Sequence, residues 1–401
     1  MLQDIATYMH LEPAEEVRFK PSAIPNSAPA VAPCGQVLEP DKGSTPGGRS
    51  FKKETPGVFH AAVPGGKSVP ILKTLLTSAC ERNCYYCPFR AGRNYRRTTF
   101  KPEEMAKVFM DMHRAGVVQG LFLSSGIIQG GARTQDRLIA TAEILRQRYG
   151  FRGYLHLKIM PGAEKDQVVR TMQLADRVSV NLEAPNDRRL QMLAPRKDFF
   201  DELVRPLQWV EETRQMQPGR QGWNGRWPST TTQFVVGAAG ESDLEILTTT
   251  EYLTKRLHLR RAYFSAFSPV SDTPLENRAA ENPWRQHRLY QTSFLFRDYG
   301  FGLEELPFDE QGNLSLDMDP KMAWAQTNLS QAPVELNRAG TEELLRVPGI
   351  GPKSAQKIIV ARRQGKLRDL QDLRAIGVQT QRLSPFVLLD GKRPLRQLPL
   401  F

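Results

Sequence analysis

From residue 71 onward, short apolar runs alternate with longer amphipathic stretches. ILKTLLTS (71–78), GLFLSSG (120–126), YLHLKIM (154–160), RVSVNLE (177–183), TTQFVVG (231–237) and RAYFSAFS (261–268) predict six strands. Between them, PEEMAKVFMDMHRAG, ARTQDRLIATAEILRQRYG and AEKDQVVRTMQLA predict helices, the second carrying Leu138, Ile139, Ala142 and Leu145 on one face. Strands spaced this widely with helices between them imply βα units around a parallel sheet, and six of them a partial (β/α)6 barrel over residues 71–280. Residues 281–332 read as an extension and linker, with NPWRQHRLYQTSFLFRDYG as amphipathic chain and DPKMAWAQ leading towards a helix. Residues 333–401 have a periodicity of their own and predict a small all-α module.

Residues 1–70 read as a leader. Ten prolines between residues 13 and 70, in phrases such as PNSAPAVAPCG, deny the backbone regular pairing. The start, MLQDIATYMHLEPAEE, lacks the basic-then-apolar order of a signal peptide. No apolar run approaches the roughly 18 residues of a membrane span, so a soluble, cytoplasmic chain without membrane contact is expected. The net charge of +12 favours polyanionic partners. More than half of that excess lies in residues 333–401, where 13 Lys and Arg face 6 Asp and Glu.

Three of the four cysteines fall within CERNCYYC, residues 80–87. That crowding is unlike a disulfide framework and fits a reducing compartment. Cys34 stands alone in the leader and reads as an incidental thiol, with a fourth ligand as the alternative. The spacing of Cys80, Cys84 and Cys87 lets three thiolates meet at one metal centre. Structural zinc wants a fourth ligand, which no nearby histidine supplies. Three packed structural thiols, zinc with a remote donor, and an iron-sulfur cluster with one open iron remain the alternatives.

The pattern C-x3-C-x-aromatic-C directly behind a strand, with Tyr86 at the aromatic position, resembles the hallmark of the radical S-adenosylmethionine (SAM) superfamily. The resemblance implies a 4Fe-4S cluster on Cys80, Cys84 and Cys87, with SAM on the open iron. Such enzymes cleave SAM to methionine and a 5′-deoxyadenosyl radical that abstracts hydrogen from a substrate, and an external electron donor reduces the cluster. It also implies SAM contacts at Tyr86, at Ser124, Ser125 and Gly126, where the superfamily has a GGE-like turn, and at Asn181 and Glu183, which resemble the N-L-D strand end of biotin synthase and its relatives. Residues two apart on a strand share a side, so Asn181 and Glu183 both reach one ligand. Gly237 is placed near the adenine, Arg196 or Lys197 near the SAM carboxylate, and AFSPVSDTPLEN resembles the G-T-P-L passage, with Asp272 in place of its glycine. Arg90, Arg93, Arg96 and Arg97 beside Phe89 and Tyr95 read equally well as a phosphate- and base-binding stretch or as an ordinary basic loop.

In the tail, LLRVPGIGPKSAQKII resembles the helix-hairpin-helix motif, which grips nucleic-acid backbones through main-chain N–H groups. The resemblance places Gly349, Ile350 and Gly351 in the turn, with Lys353, Lys357, Arg362 and Arg363 adding phosphate contacts. RDLQDLRAIGVQTQRL reads as a degenerate second hairpin turning at Ile376 and Gly377. Cluster motif, barrel and tail together resemble bacterial radical SAM proteins assigned to DNA modification or repair. An enzyme acting on nucleic acid, DNA in the first place, is therefore expected, with a DNA-repair protein as a conceivable partner. The alternatives are a tRNA-modifying enzyme of the same class, and a DNA-binding protein whose cluster is structural or redox-sensing.

Overall fold

The computed structural model describes residues 57–62 and 68–394; Cys34 and most of the Pro- and Gly-rich leader lie outside them. Seven strands form one sheet in sequential order: β1 (Val58–Ala62), β2 (Ser68–Leu75), β3 (Gly120–Ser124), β4 (Tyr154–Lys158), β5 (Arg177–Ser179), β6 (Ser229–Val236) and β7 (Arg261–Ala266). β2 to β7 run parallel, as expected of the six predicted strands, and β1 adds an antiparallel hairpin partner to β2. That first strand was not read from the sequence, because VFHAA is a short run between Pro and Gly punctuation. The sheet does not close, so the architecture is a half-barrel followed by a helical module.

The crossovers are helices α1 (Pro102–Arg114), α2 (Gly131–Glu143), α3 (Lys165–Leu174), α4 (Asp187–Leu193), α5 (Arg205–Met216) and α6 (Asp243–Arg256). α1 shows why they form. Pro102 suits the first turn, Glu103 and Glu104 complement its dipole, and Met105, Ala106, Phe109 and Met110 bury one stripe against the sheet. α6 begins with a reciprocal capping box, Ser242 accepting from Glu245 N at 3.2 Å and Glu245 from Ser242 N at 2.9 Å.

α2 runs into a single π-helical turn, Ile144–Arg148, that turns Arg146 inward. Its guanidinium donates to the carbonyls of Leu174, Phe151 and Gly153 at 2.8–2.9 Å and pairs with Asp176 at 2.9 Å, under the Trp223 ring. One side chain thus satisfies the loops at the amino ends of β4 and β5.

α7 (Pro283–Asp298) gives the extension a structural role. It covers the open edge at β7, where the Phe264 N–H donates to Tyr290 Oη at 3.1 Å and the Ala266 N–H to Gln286 Oε1 at 2.7 Å. Donors that a closed barrel would use in a ladder are satisfied here by side chains. α7 runs antiparallel to β7, since Arg297 at its far end donates to the carbonyl of Arg260, just before the strand, at 3.2 Å.

The C-terminal module has a second core built from α8 (Pro320–Asn328), α9 (Thr341–Arg346), α10 (Pro352–Gln364) and α11 (Leu370–Ala375), with a two-residue parallel pairing of β8 (Val334–Glu335) and β9 (Val387–Leu388). Ala325 of α8 and Leu329 just after it belong to this core, so the packing unit begins before residue 333. Among the described residues no helix is long and apolar enough to cross a membrane.

Arg146→Met removes the partner of Asp176 and four donated bonds. Chemical denaturation is expected to show the unfolding free energy falling by about 3–5 kcal/mol, and a change under about 1 kcal/mol would mean that the network contributes little.

Candidate functional site

The loop after β2 crosses the end of β3 in a passage that only glycine permits. A Cβ on Gly126 would collide with the Ala79 carbonyl oxygen, one residue before Cys80. The Gly126 N–H donates to Thr77 O at 2.7 Å, and Ile127 N to Cys80 Sγ at 3.4 Å. Glu81 closes the crossing by accepting from Gln129 N and Gly130 N at 3.0 and 3.1 Å. The β3 end therefore fixes the backbone that presents the first cysteine.

Cys80, Cys84 and Cys87 line one cavity of about 330 Å³ at the carboxyl ends of the parallel strands. Tyr86, Ser124, Ser125, Gly126, Asn181 and Glu183 share its wall, as does Lys197. Among the described residues no three His, Cys, Asp or Glu side chains close around a point as for a single bound ion. The thiols thus share a wall without forming a one-metal knot. Burial pushes the Cys84 and Cys87 thiols up, so holding them as thiolates requires added positive charge.

Glu183 and Lys197 form an ion pair in the cavity wall. Lys197 Nζ lies 3.1 Å from Glu183 Oε1, and both side chains are at least nine-tenths buried. Burial opposes the Lys197 charge, yet the Cys84 thiol and the Glu183 carboxylate hold its pKa above the usual lysine value. Burial, and then the Glu183 charge, raise Tyr86 well above an ordinary tyrosine. Glu183 has φ of 65°, costly for a residue with a side chain, and its Oε2 is buried without a hydrogen-bonding partner among the described residues. An orphaned carboxylate oxygen in a cavity wall fits a ligand that brings hydroxyl or ammonium donors, as SAM does.

Other placements are more local. Asn181 Nδ2 donates to Gln233 Oε1 at 3.2 Å, and Ser125 Oγ to the Gly126 carbonyl at 2.7 Å. Gly237 does not line the cavity; its α-carbon packs against the Glu281 carboxylate, and its N–H donates to Glu241. Arg196 stays exposed and donates to Glu81 O at 3.2 Å, so of these two neighbours it is Lys197 that lines the cavity. Arg97 donates to the Phe89, Arg90 and Arg93 carbonyls at 2.8–3.1 Å and stacks on Tyr95 at 3.9 Å, which makes it a brace of the cluster loop. Arg93 likewise bonds Pro88 O and Ser271 O. Sequence reasoning missed Lys158, buried at the end of β4, along with Gln233, Ser265 and Ser268 of the same wall. A lysine closing the apolar run YLHLK was the available signal for the first of these.

In the module, Gly349 has φ of 86° and lies exposed at the turn between α9 and α10, the conformation the hairpin requires. Ile350 is 1% exposed and anchors the turn in the second core, while Lys353 and Lys357 are exposed on α10. Gly377 repeats the positive φ at 73°, and Val378 after it is buried as Ile350 is. Arg362 is spent on the carbonyls of Leu336 and Ala339 at 3.0 and 2.7 Å. Lys321 of α8 donates to the Ile350 carbonyl at 2.6 Å, and burial, only partly offset by Asp319, pushes its pKa down to about 7.

Two outcomes follow. Lys197→Met is expected to lower the unfolding free energy by about 3–5 kcal/mol by leaving Glu183 buried alone, with Lys197→Met/Glu183→Gln recovering most of it; additive losses in that cycle would show the two are not coupled. Lys321 is neutral in the folded chain and charged in the unfolded one between pH 7 and its ordinary pKa of 10.5. Its contribution to stability therefore grows as pH rises through that window. The melting temperature of the parent protein relative to Lys321→Met should move upward from pH 6 to pH 9, and a constant difference would contradict the depressed pKa.

A model of the radical SAM superfamily matches residues 74–253, and one of the helix-hairpin-helix motif matches residues 330–381. No curated protein matches the sequence. Among solved structures, the FeFe-hydrogenase maturase HydG of Carboxydothermus hydrogenoformans is 14% identical with a TM-score of 0.45, over 57% of this chain and 51% of that one. This chain thus spans about half of that maturase. Methylornithine synthase (PylB) is 12% identical at 0.44, over 77% and 86% of the two chains. The Escherichia coli coproporphyrinogen III oxidase HemN is 15% identical at 0.36, over 57% and 52%. The chain thus carries a radical SAM domain followed by a helix-hairpin-helix segment, and enzymes of that superfamily work with a 4Fe-4S cluster and S-adenosylmethionine.

Proposed function

We propose that this enzyme acts on nucleic acid, DNA in the first place, in a modification or repair reaction. The observation that carries the reading is one chain's union of a thiol-lined cavity with a basic hairpin module whose turn is held open to solvent at Gly349. Cys80, Cys84 and Cys87 would hold the cluster. Glu183, Asn181 and the Ser124–Gly126 turn would hold SAM, with Lys197 balancing their charge. When bound and reduced by an external electron donor, cluster and SAM supply an organic radical able to take a hydrogen atom from an unactivated C–H bond.

The chain's own residues do the rest. Leu75, Ile127, Met160, Phe267 and Val270 line the cavity with apolar surface that keeps water from the reacting atoms. Glu183 accepts from ligand hydroxyls or ammonium, and Lys197 pairs with that carboxylate at 3.1 Å. A cavity of about 330 Å³ does not admit a duplex, so the reacting nucleotide must be flipped out or already single-stranded. The hairpin would grip phosphates through Gly349 and Gly351, the α10 N-terminus, Lys353 and Lys357, with no sequence preference.

Anaerobic reconstitution tests the reading. The reduced protein should form 5′-deoxyadenosine from SAM, lose that activity in Cys80→Ala, Cys84→Ala or Cys87→Ala, and bind DNA with an affinity that falls steeply between 50 and 200 mM salt, on the order of tenfold or more for two or three phosphate contacts. Binding that ignores salt would assign the module to protein contacts, and tighter binding of structured RNA would move the substrate to RNA.

A further inference from the structure

The hairpin turn sits at the far end of α7 from the cavity. Near the start of that helix, Gln286 accepts from the N–H of Ala266, a residue of the cavity wall. Just past its end, Tyr299 meets the hairpin, where a Cβ on Gly351 would lie 3.1 Å from Tyr299 Oη. Thirteen residues separate Gln286 from Tyr299 in a continuous helix and its cap, a rise of about 20 Å at 1.5 Å per residue.

That separation is fixed by a clamp. Arg346, which closes α9, donates to the Tyr299 and Gly300 carbonyls at 2.9 and 3.1 Å, pairs with Glu305 at 2.9 Å, and stacks on the Phe301 ring at 3.9 Å. Trp324 of α8 packs edge-on against Phe301 and touches both cores. Lys321 bonds the Ile350 carbonyl inside the turn itself, and Arg382 pairs with Asp319 beside it. An arginine shared among two carbonyls, a carboxylate and a ring holds one orientation. On the cavity side, the cluster loop carries an exposed arginine, Arg96. Neighbouring Arg93 and Asn94 bond Ser271 and Asp272, directly after the cavity residue Val270.

We infer that the hairpin module is a fixed anchor, holding a nucleic-acid strand about 20 Å from the cavity wall at Ala266, so that the enzyme selects polymers long enough to span anchor and cavity. The inference rests on the nucleic-acid reading above. At 3.4 Å per nucleotide along a stacked strand, the span is about six nucleotides. Free nucleosides, nucleotides and tetramers reach one end only and lose the gain that a second tethered contact brings.

A length series of single-stranded DNA tests this on the full-length protein, with affinity measured by fluorescence anisotropy for 4-, 8-, 12- and 24-mers at one salt concentration. Affinity should step up at least tenfold between the 4-mer and the 12-mer, beyond the proportional gain from added binding positions. Lys353→Glu should weaken every length, and Arg96→Glu should abolish the step while leaving the 4-mer unchanged. Affinity that rises only in proportion to length, or a step that survives Arg96→Glu, overturns the fixed anchor and leaves the nucleic-acid reading standing. Absence of salt-sensitive binding at all lengths overturns both.

Discussion

Three thiolates and a carboxylate share one buried wall only if a cation stands among them, and Lys197 is placed to be that cation. Its ion pair with Glu183 lies in the cavity wall, and the Cys84 and Glu183 charges favour the Lys197 cation against burial. Without Lys197, the Glu183 carboxylate would lose the ammonium it pairs with, while the thiols, already pushed up by burial, would be harder to hold ionised. The half-barrel positions this pair. Four residues past the end of β5 the chain reaches Glu183, strained at positive φ, whose N–H and carbonyl still pair with β6, and α4 then leads the chain on to Lys197.

The six parallel strands were legible because each is a short apolar run ending in polar residues, the signature of a strand buried on both faces. The cysteine loop was legible from spacing, whereas the run after Glu183 offered Arg196 and Lys197 alike, and only packing sets one exposed and the other buried. What escaped notice depended on packing across the chain. Gly237 looks like a close-approach glycine in sequence, yet what approaches it is the Glu281 carboxylate from the extension. Arg93, Arg97 and Arg362 look like phosphate ligands by composition, and the fold uses them on loop carbonyls. α6 carried a readable Ser242–Glu245 capping box that was passed over, whereas the membership of Ala325 and Leu329 in the second core has no local signature.

The extension joins the chemistry at one end to the grip at the other. α7 satisfies the edge of β7 through Gln286 and Tyr290, and its far end receives Arg346 and the hairpin turn. An open half-barrel needs its edge covered. Covering it with a helix that also bears the module ties the distance between cavity and hairpin to the stability of the barrel itself.

The most direct measurement offers the reduced, reconstituted enzyme DNA prepared from cells grown in deuterated medium and weighs the 5′-deoxyadenosine formed from unlabelled SAM. If the nucleic acid gives up the hydrogen atom, that product gains one mass unit with deuterated DNA and none with unlabelled DNA. Product that stays unlabelled with deuterated DNA and deuterated RNA alike, in a reaction that consumes SAM, would contradict a nucleic-acid substrate.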